Sequence, residues 1–82
     1  MITERVVMYG KPGCHLCDDA RAVIEAVCGE LGIGFAEVDI TTSVELLNSY
    51  GDQIPVTFVD GEQHDFWRVD ATRLRRALDP PV

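Results

Sequence analysis

The stretch that decides the fold is "RVVMYGKPGCHLCDDA", residues 5–20. Residues 5–9 form a short, mostly apolar run with β-branched residues, which predicts a short strand buried on both faces, as in a parallel sheet. "GKPG" then interrupts the strand with glycine and proline. A helical pattern begins near His15, so we expect Cys14 at the start of the first helix and Cys17 one turn further on.

The position of Cys14 predicts thiol chemistry. Unpaired backbone N–H groups and the positive end of the helix dipole stabilise a thiolate at a helix start. Lys11, the only lysine of the chain, and His15 add to that effect if both are charged. His15 is equally compatible with an incidental surface residue. We expect Cys14 to be the attacking nucleophile and Cys17, more covered, to be the resolving thiol. A Cys-x-x-Cys pair alone also allows a metal site or a structural disulfide; beside a β-α-β pattern it favours dithiol redox chemistry.

The remaining elements follow from periodicity and capping. The first helix is expected over residues 15–31 with an apolar stripe, and a second strand over 34–40. Thr42 and Glu45 form a predicted capping box for a short helix that stops at Gly51. Strands over 56–59 and 62–66 flank the turn pair Asp60–Gly61. The apolar stripe of the first helix comprises Leu16, Ala20, Val23, Ile24, Val27 and Leu31; the last helix has Asp70 as N-cap, Leu74, Ala77 and Leu78 inside, and Pro80 and Pro81 after its end.

This order, β-α-β-α-β-β-α, predicts an α/β protein: one mixed four-stranded sheet flanked by three helices. The 82 residues are enough for a single domain, residues 1–82.

Composition excludes several classes of function. The formal net charge of −7 disfavours nucleic-acid binding. No apolar run is long enough to cross a membrane, and Glu4 and Arg5 stand where a signal peptide needs apolar residues. Three cysteines are too few for a disulfide-stapled secreted scaffold, so we expect a cytoplasmic protein without membrane or nucleic-acid partners.

A second stretch, "QIPVTFVDG" (residues 53–61), sharpens the redox interpretation. An Ile54–Pro55 bond before a strand can be cis, which would turn the Ile54 backbone outward to pair with the extended chain of a substrate. Phe66 and Trp67 are expected to close one end of the core rather than line a partner groove. His64 is expected on the surface, and Cys28 inside as a small buried hydrophobe.

Together, "YGKPGCHLC" and "IPVTFVDG" resemble the glutaredoxin-like proteins of the thioredoxin-fold superfamily, over nearly the whole chain. The resemblance implies thiol–disulfide exchange through Cys14 and Cys17, a cis Pro55, and a role for Lys11 in placing the glutathione carboxylate or stabilising the thiolate. The chain departs from the glutathione-using members. Gln53 replaces a threonine, and "FWRVD" (residues 66–70) replaces a Gly–Gly segment that is followed by acidic residues.

The electron donor and two alternatives therefore stay open. We expect no tightly bound cofactor; the reductant is glutathione, another low-molecular-weight thiol or a flavoprotein such as thioredoxin reductase. The expected partners are disulfide-containing proteins or mixed disulfides. We expect the protein itself to be a monomer. The alternatives are an iron–sulfur cluster held between two chains by paired Cys14 residues, and a redox-inert interaction domain of the same fold.

Overall fold

A computed structural model describes residues 4–79 of the chain, and it has the predicted element order. The secondary-structure elements are β1 (Val6–Gly10), α1 (His15–Leu31), β2 (Phe35–Asp39), a 3-10 turn (Ile40–Thr42), α2 (Val44–Tyr50), β3 (Val56–Val59), β4 (Glu62–Phe66) and α3 (Ala71–Leu78). None of the helices in this range is long and apolar enough to cross a membrane.

The four strands form one mixed sheet in the order β2-β1-β3-β4. β1 and β2 are parallel, as the α1 crossover predicts, whereas β1 with β3 and β3 with β4 are antiparallel. The hairpin turn at Asp60 and Gly61 has positive φ at both residues (51° and 84°), which an Asp–Gly pair accommodates readily. The predicted fold class is confirmed.

Helices cover both faces of the sheet. Alternate residues of β1 point to opposite faces. On one face, a Cβ built on Gly10 would lie 3.0 Å from Cys17 Sγ of α1, and α1 in turn contacts α3. On the other face, the ring of Tyr9 contacts Tyr50 of α2 and Phe58 of β3, with centroids 5.2 and 4.7 Å apart. One side of β1 is thus fully buried and the other only partly, so the expectation of a strand buried on both faces is only partly correct.

The ends of α1 agree with the sequence. It runs from His15 to Leu31, and Gly32 ends it with a left-handed backbone, φ 68°. Its stripe is buried at Ala20, Ile24 and Val27, but Leu31 is 43% exposed and does not join the core. The periodic pattern is therefore correct for these buried positions, and its final member is wrong.

Two helix caps test the capping predictions. Asp70 caps α3 as expected, accepting the Arg73 N–H at 3.0 Å. Thr42 is not the N-cap of α2; Ser43 is, accepting the Leu46 N–H at 3.3 Å. Thr42 instead ends a short 3-10 turn that Asp39 caps, so α2 starts one residue later than predicted.

The inner face of α3 is narrower than predicted. Leu74 and Leu78 are buried, whereas Ala77 is exposed. Spacing of four residues places Leu74 and Leu78 on one line along the helix, and Ala77 lies beside that line. Pro80 and Pro81, predicted to end the helix, lie outside the described residues.

A β-bulge explains a further difference. The pairing of β3 with β4 shifts between Thr57 and Phe58, so Asp65 pairs with Thr57 while Gln63 pairs with Phe58. His64 is the extra residue, and its side chain is only 12% exposed, 3.7 Å from Asp65. The expectation that His64 is a surface residue is therefore wrong. It could not be corrected from the sequence, because a bulge has no signature in the local sequence.

Candidate functional site

Cys14 is the N-cap of α1. Its backbone is extended (φ −103°, ψ 112°), and its Sγ accepts the backbone N–H of Cys17 at 3.2 Å. The Cys14 carbonyl also accepts the Asp18 N–H at 3.1 Å, which begins the helix. Cys14 is a free, partly exposed thiol. Its sulfur therefore takes the place of the usual serine or aspartate oxygen, where an N–H donor and the helix dipole stabilise negative charge.

Cys17 occupies a different environment although it lies one turn away. It is 1% exposed and belongs to the main core. Burial, followed by the hydrogen bond with Cys14, raises the pKa of the Cys17 thiol to about 11, while the Lys11 backbone and Arg21 act in the opposite direction. Cys17 is consequently protonated at neutral pH, as is expected for a resolving thiol.

Gly10 makes the close packing of Cys17 possible. A Cβ built on Gly10 would stand 3.0 Å from Cys17 Sγ, closer than nine in ten real contacts of a Cβ. Only glycine lets the end of β1 approach the thiol this closely. From the sequence, Gly10 was predicted only to interrupt the strand, and its close approach to Cys17 was not predicted. The signal for it was a glycine at the last position of a strand that a helix covers.

Lys11 and His15 are both exposed. Within residues 4–79, no hydrogen bond or ion pair joins either side chain to Cys14. Lys11 instead lines a depression together with the charged side chains of Arg21, Glu37 and Asp39. The effect of Lys11 and His15 on the Cys14 thiolate stays a prediction.

Ile54 and Pro55 lie at the same end of the sheet as Cys14. The antiparallel register pairs Tyr9 of β1 with Val56 of β3, which places the residues before β3 beside the turn that leads to Cys14. The Ile54–Pro55 bond is cis, in agreement with the sequence analysis. In the described part of the chain, neither the N–H nor the C=O of Ile54 has a hydrogen-bond partner.

Trp67 stands next to this segment. Its backbone N–H donates to the Pro55 carbonyl at 2.8 Å, and its indole Nε1 donates to the Asp52 carbonyl at 3.0 Å. The indole is 51% exposed and Phe66 is 49% exposed, so the expectation that they close the core is wrong. Trp67 and Leu16, the residue before Cys17, line one shallow depression.

The described residues do not bring three metal-ligating side chains together. No group of three or more histidine, cysteine, aspartate or glutamate side chains converges within residues 4–79. Cys28 is 2% exposed, in the second half of α1, and packs in the core as predicted.

These features define a thioredoxin-fold protein with a Cys-x-x-Cys pair at the start of its first helix. The sequence profile of the family described as "Glutaredoxin-like domain (DUF836)" matches residues 5–79. The chain belongs to this glutaredoxin-like family.

Similar proteins agree with that assignment. A solved structure of protein XcR50 from X. campestris is 30% identical, with a TM-score of 0.76 over 94% of this chain and 99% of that one. A thioredoxin from Fasciola hepatica is 27% identical, with a TM-score of 0.58 over 89% of this chain and 75% of that one. Oxidized glutaredoxin 2 from Chlamydomonas reinhardtii, at 19% identity, shares the fold with a TM-score of 0.65 over 93% of this chain and 80% of that one.

A curated relative extends the comparison. The uncharacterized protein Rv0508 of Mycobacterium tuberculosis is 29% identical over 80 residues, which span 92% of this chain and 82% of that protein. The family and fold suggest a redox-related function.

Proposed function

We propose that this protein is a thiol–disulfide oxidoreductase that uses Cys14 and Cys17 in a dithiol mechanism. The observation that carries the proposal is the contrast between the two thiols. Cys14 is partly exposed and accepts an N–H at the helix start, whereas Cys17 is buried with a raised pKa. Such a pair suits an attacking thiolate followed by a resolving thiol.

In the first step, the Cys14 thiolate attacks one sulfur of a substrate disulfide. The substrate S–S bond breaks, its other sulfur leaves as a thiolate, and a mixed disulfide joins Cys14 to the substrate. The unpaired N–H and C=O of Ile54 can hold the backbone of a peptide substrate during this step.

In the second step, Cys17 loses its proton and attacks the Cys14 sulfur. The second substrate thiolate leaves, and the Cys14–Cys17 disulfide holds the oxidised state, so two electrons have passed to the substrate. The hydrogen bond with Cys14 is one cause of the raised pKa of Cys17. Once Cys14 is part of a mixed disulfide it carries no thiolate charge, which makes it easier for Cys17 to lose its proton.

The reductant that restores the two thiols supplies two electrons. Candidates are glutathione, another low-molecular-weight thiol, or a flavoprotein reductase. We propose that the substrates are protein disulfides or mixed disulfides, reduced by a monomer in the cytoplasm without a tightly bound cofactor.

A single-turnover experiment tests the mechanism. The reduced protein should convert one bis(2-hydroxyethyl) disulfide into two molecules of mercaptoethanol and end with a Cys14–Cys17 disulfide. Cys17→Ser should stop at an adduct on Cys14, and Cys14→Ser should react no faster than the solution reaction. Cys28→Ala is the matched control and should behave like the wild type. A Cys14–Cys17 pair that stays reduced would favour the redox-inert domain.

The same assay in turnover form identifies the electron donor. One arm contains glutathione with its reductase, and the other contains thioredoxin reductase. Turnover in one arm only assigns the donor. The visible absorption of anaerobically purified protein would reveal the alternative of an iron–sulfur cluster between two chains.

A further inference from the structure

We propose that Trp67 is a specificity-determining residue for the Cys14 site. Together with Leu16 it receives a bulky apolar side chain that flanks the disulfide cysteine of an extended, neutral or basic peptide segment in a partner protein. This inference rests on the proposed function, because it describes the substrate of the same site.

Trp67 and Phe66 form the aromatic part of this surface. Their rings make a T-shaped pair with centroids 5.0 Å apart, and about half of each side chain is exposed. Two adjacent large side chains left half in water form an apolar patch that burial against a partner would stabilise.

The Trp67 side chain is held in place before any substrate arrives. Its backbone N–H donates to Pro55 at 2.8 Å and to Gln53 at 3.3 Å, and its indole donates to Asp52 at 3.0 Å. Its φ of 62° is uncommon for a residue of this size, and these hydrogen bonds hold it there. A side chain that is already ordered loses little entropy on binding.

The depression beside Trp67 has the size of a side chain rather than of a whole ligand. It measures about 180 Å³ and is lined by Leu16, Ala20 and Val23 of α1 and by Trp67 and Val69 opposite. Pockets for drug-sized molecules are larger, roughly 300–1,000 Å³. Leu16 lies between the two cysteines in sequence, so a side chain in this depression belongs to a residue close to the substrate cysteine.

The backbone of Ile54 adds the second half of the recognition. Its N–H and C=O have no partner in the described part of the chain, and the hydrogen bonds of Trp67 go to the residues on either side of it. Unpaired groups of this kind bind an extended peptide by adding it to the sheet. A small disulfide without a backbone cannot use them.

Charge favours a neutral or basic segment. The chain carries a formal net charge of −7, and Asp19 stands at the edge of the depression. Neither Asp19 nor Asp52 makes an ion pair within residues 4–79. Arg68 is the cation at the same edge, but the field of the whole molecule attracts basic partners and repels acidic ones.

Symmetric peptide disulfides test the inference, because attack on either sulfur gives the same products. The reduced protein supplies two electrons through Cys14 and Cys17, and each peptide disulfide yields two peptide thiols. Three peptides are compared. The first has leucine beside its cysteine and also carries lysine, the second has leucine and carries glutamate, and the third has serine and carries lysine. We expect the leucine–lysine peptide to react about tenfold faster than the serine–lysine peptide, as half-burial of a leucine allows. At low salt it should also react faster than the leucine–glutamate peptide.

Two variants distinguish the effect of removing Trp67 from the effect of losing any exposed apolar side chain. Trp67→Asn removes the indole but tolerates a left-handed backbone, and it should reduce the leucine preference to about twofold or less. Leu31→Ala removes a similarly exposed apolar side chain at the far end of α1, about 22 Å from Leu16 along the helix, and should leave the preference unchanged.

A fluorescence measurement in Cys17→Ser requires no change at Trp67. Trp67 is the only tryptophan of the chain, so its emission reports on this surface alone. With the leucine–lysine peptide trapped on Cys14, the emission should shift to shorter wavelength and acrylamide quenching should fall. With the serine–lysine peptide or mercaptoethanol trapped there, both should stay as in the free protein.

The outcomes distinguish the inference from the function on which it rests. If neither the peptides nor bis(2-hydroxyethyl) disulfide reacts, the proposed function fails. If all react but the wild type has no leucine preference, or Trp67→Asn keeps it, or the trapped leucine peptide leaves the emission unchanged, the function stands and the assignment of Trp67 is overturned.

Discussion

The two ends of α1 hold the same type of side chain in opposite surroundings. At the first end, Cys14 faces a backbone N–H group and is partly open to solvent. Near the other end, Cys28 is buried, and its own carbonyl accepts the N–H groups of Gly32 and Ile33. The helix dipole favours an anion at the first end and disfavours one at the second.

Cys17 lies between these extremes and shows that distance along the helix is not the only factor. It lies in the first turn of the helix, yet its pKa is raised, as is that of Cys28. In both cases burial is the largest cause; the charge of Glu4 adds to it at Cys28. Under the proposed function, exposure and contact with an N–H group distinguish the attacking thiol from the other two.

The largest expected effect is on thiol reactivity. At neutral pH, Cys14 should react with iodoacetamide about 100-fold faster than Cys17 or Cys28, because only Cys14 combines solvent access with an N–H group that donates to its sulfur. Peptide mapping by mass spectrometry after timed alkylation measures the three rates in one sample. Comparable rates at Cys14 and Cys28 would break the comparison, since they would show that the helix start confers nothing.

The sequence predicted the first end of α1 better than the site around it. Regular helical spacing predicted a helix over residues 15–31, and α1 spans His15–Leu31. The turn at Asp60 and Gly61 could be predicted equally well from the sequence, because a left-handed backbone at both positions restricts the choice of residues.

Local turns and tertiary contacts decided what the sequence pattern did not reveal. Ser43 rather than the predicted Thr42 caps α2, because Thr42 belongs to the 3-10 turn that Asp39 caps. Leu31 and Ala77 are exposed, although helical spacing predicts them on the inner faces of α1 and α3. Trp67 has an apolar side chain that predicts burial, but its hydrogen bonds to residues 52–55 hold it at the surface.

A second prediction concerns the pH dependence of stability. The pKa of Cys17 rises from its ordinary 9.0 to about 11 in the folded protein, so the folded state holds this proton more tightly than the unfolded chain does. The resulting stabilisation is complete below about pH 9 and is lost as pH rises through 11, with about 2 kcal/mol lost by pH 11.

Urea unfolding under reducing conditions at pH 8 and pH 11 measures this loss. The wild type should lose about 2 kcal/mol more than Cys17→Ala between the two pH values. The difference between the two proteins isolates Cys17, because every other side chain is the same in both. Parallel losses in the two proteins would show that burial does not hold the Cys17 proton.

The smallest expected effect is a reversed order of substitutions at the two ends of α1. At Cys14, serine keeps an acceptor for the Cys17 N–H and alanine removes it, so Cys14→Ala should be less stable than Cys14→Ser by about 0.5–1 kcal/mol. At Cys28, alanine leaves an apolar contact, whereas the serine hydroxyl is buried, so Cys28→Ser should be the less stable variant, by about 0.5–1 kcal/mol.

Urea midpoints of the four variants at pH 7 measure both differences. The same order at both positions would mean that Cys14 acts as a packing residue like Cys28, because only a capping role makes serine preferable to alanine at the helix start.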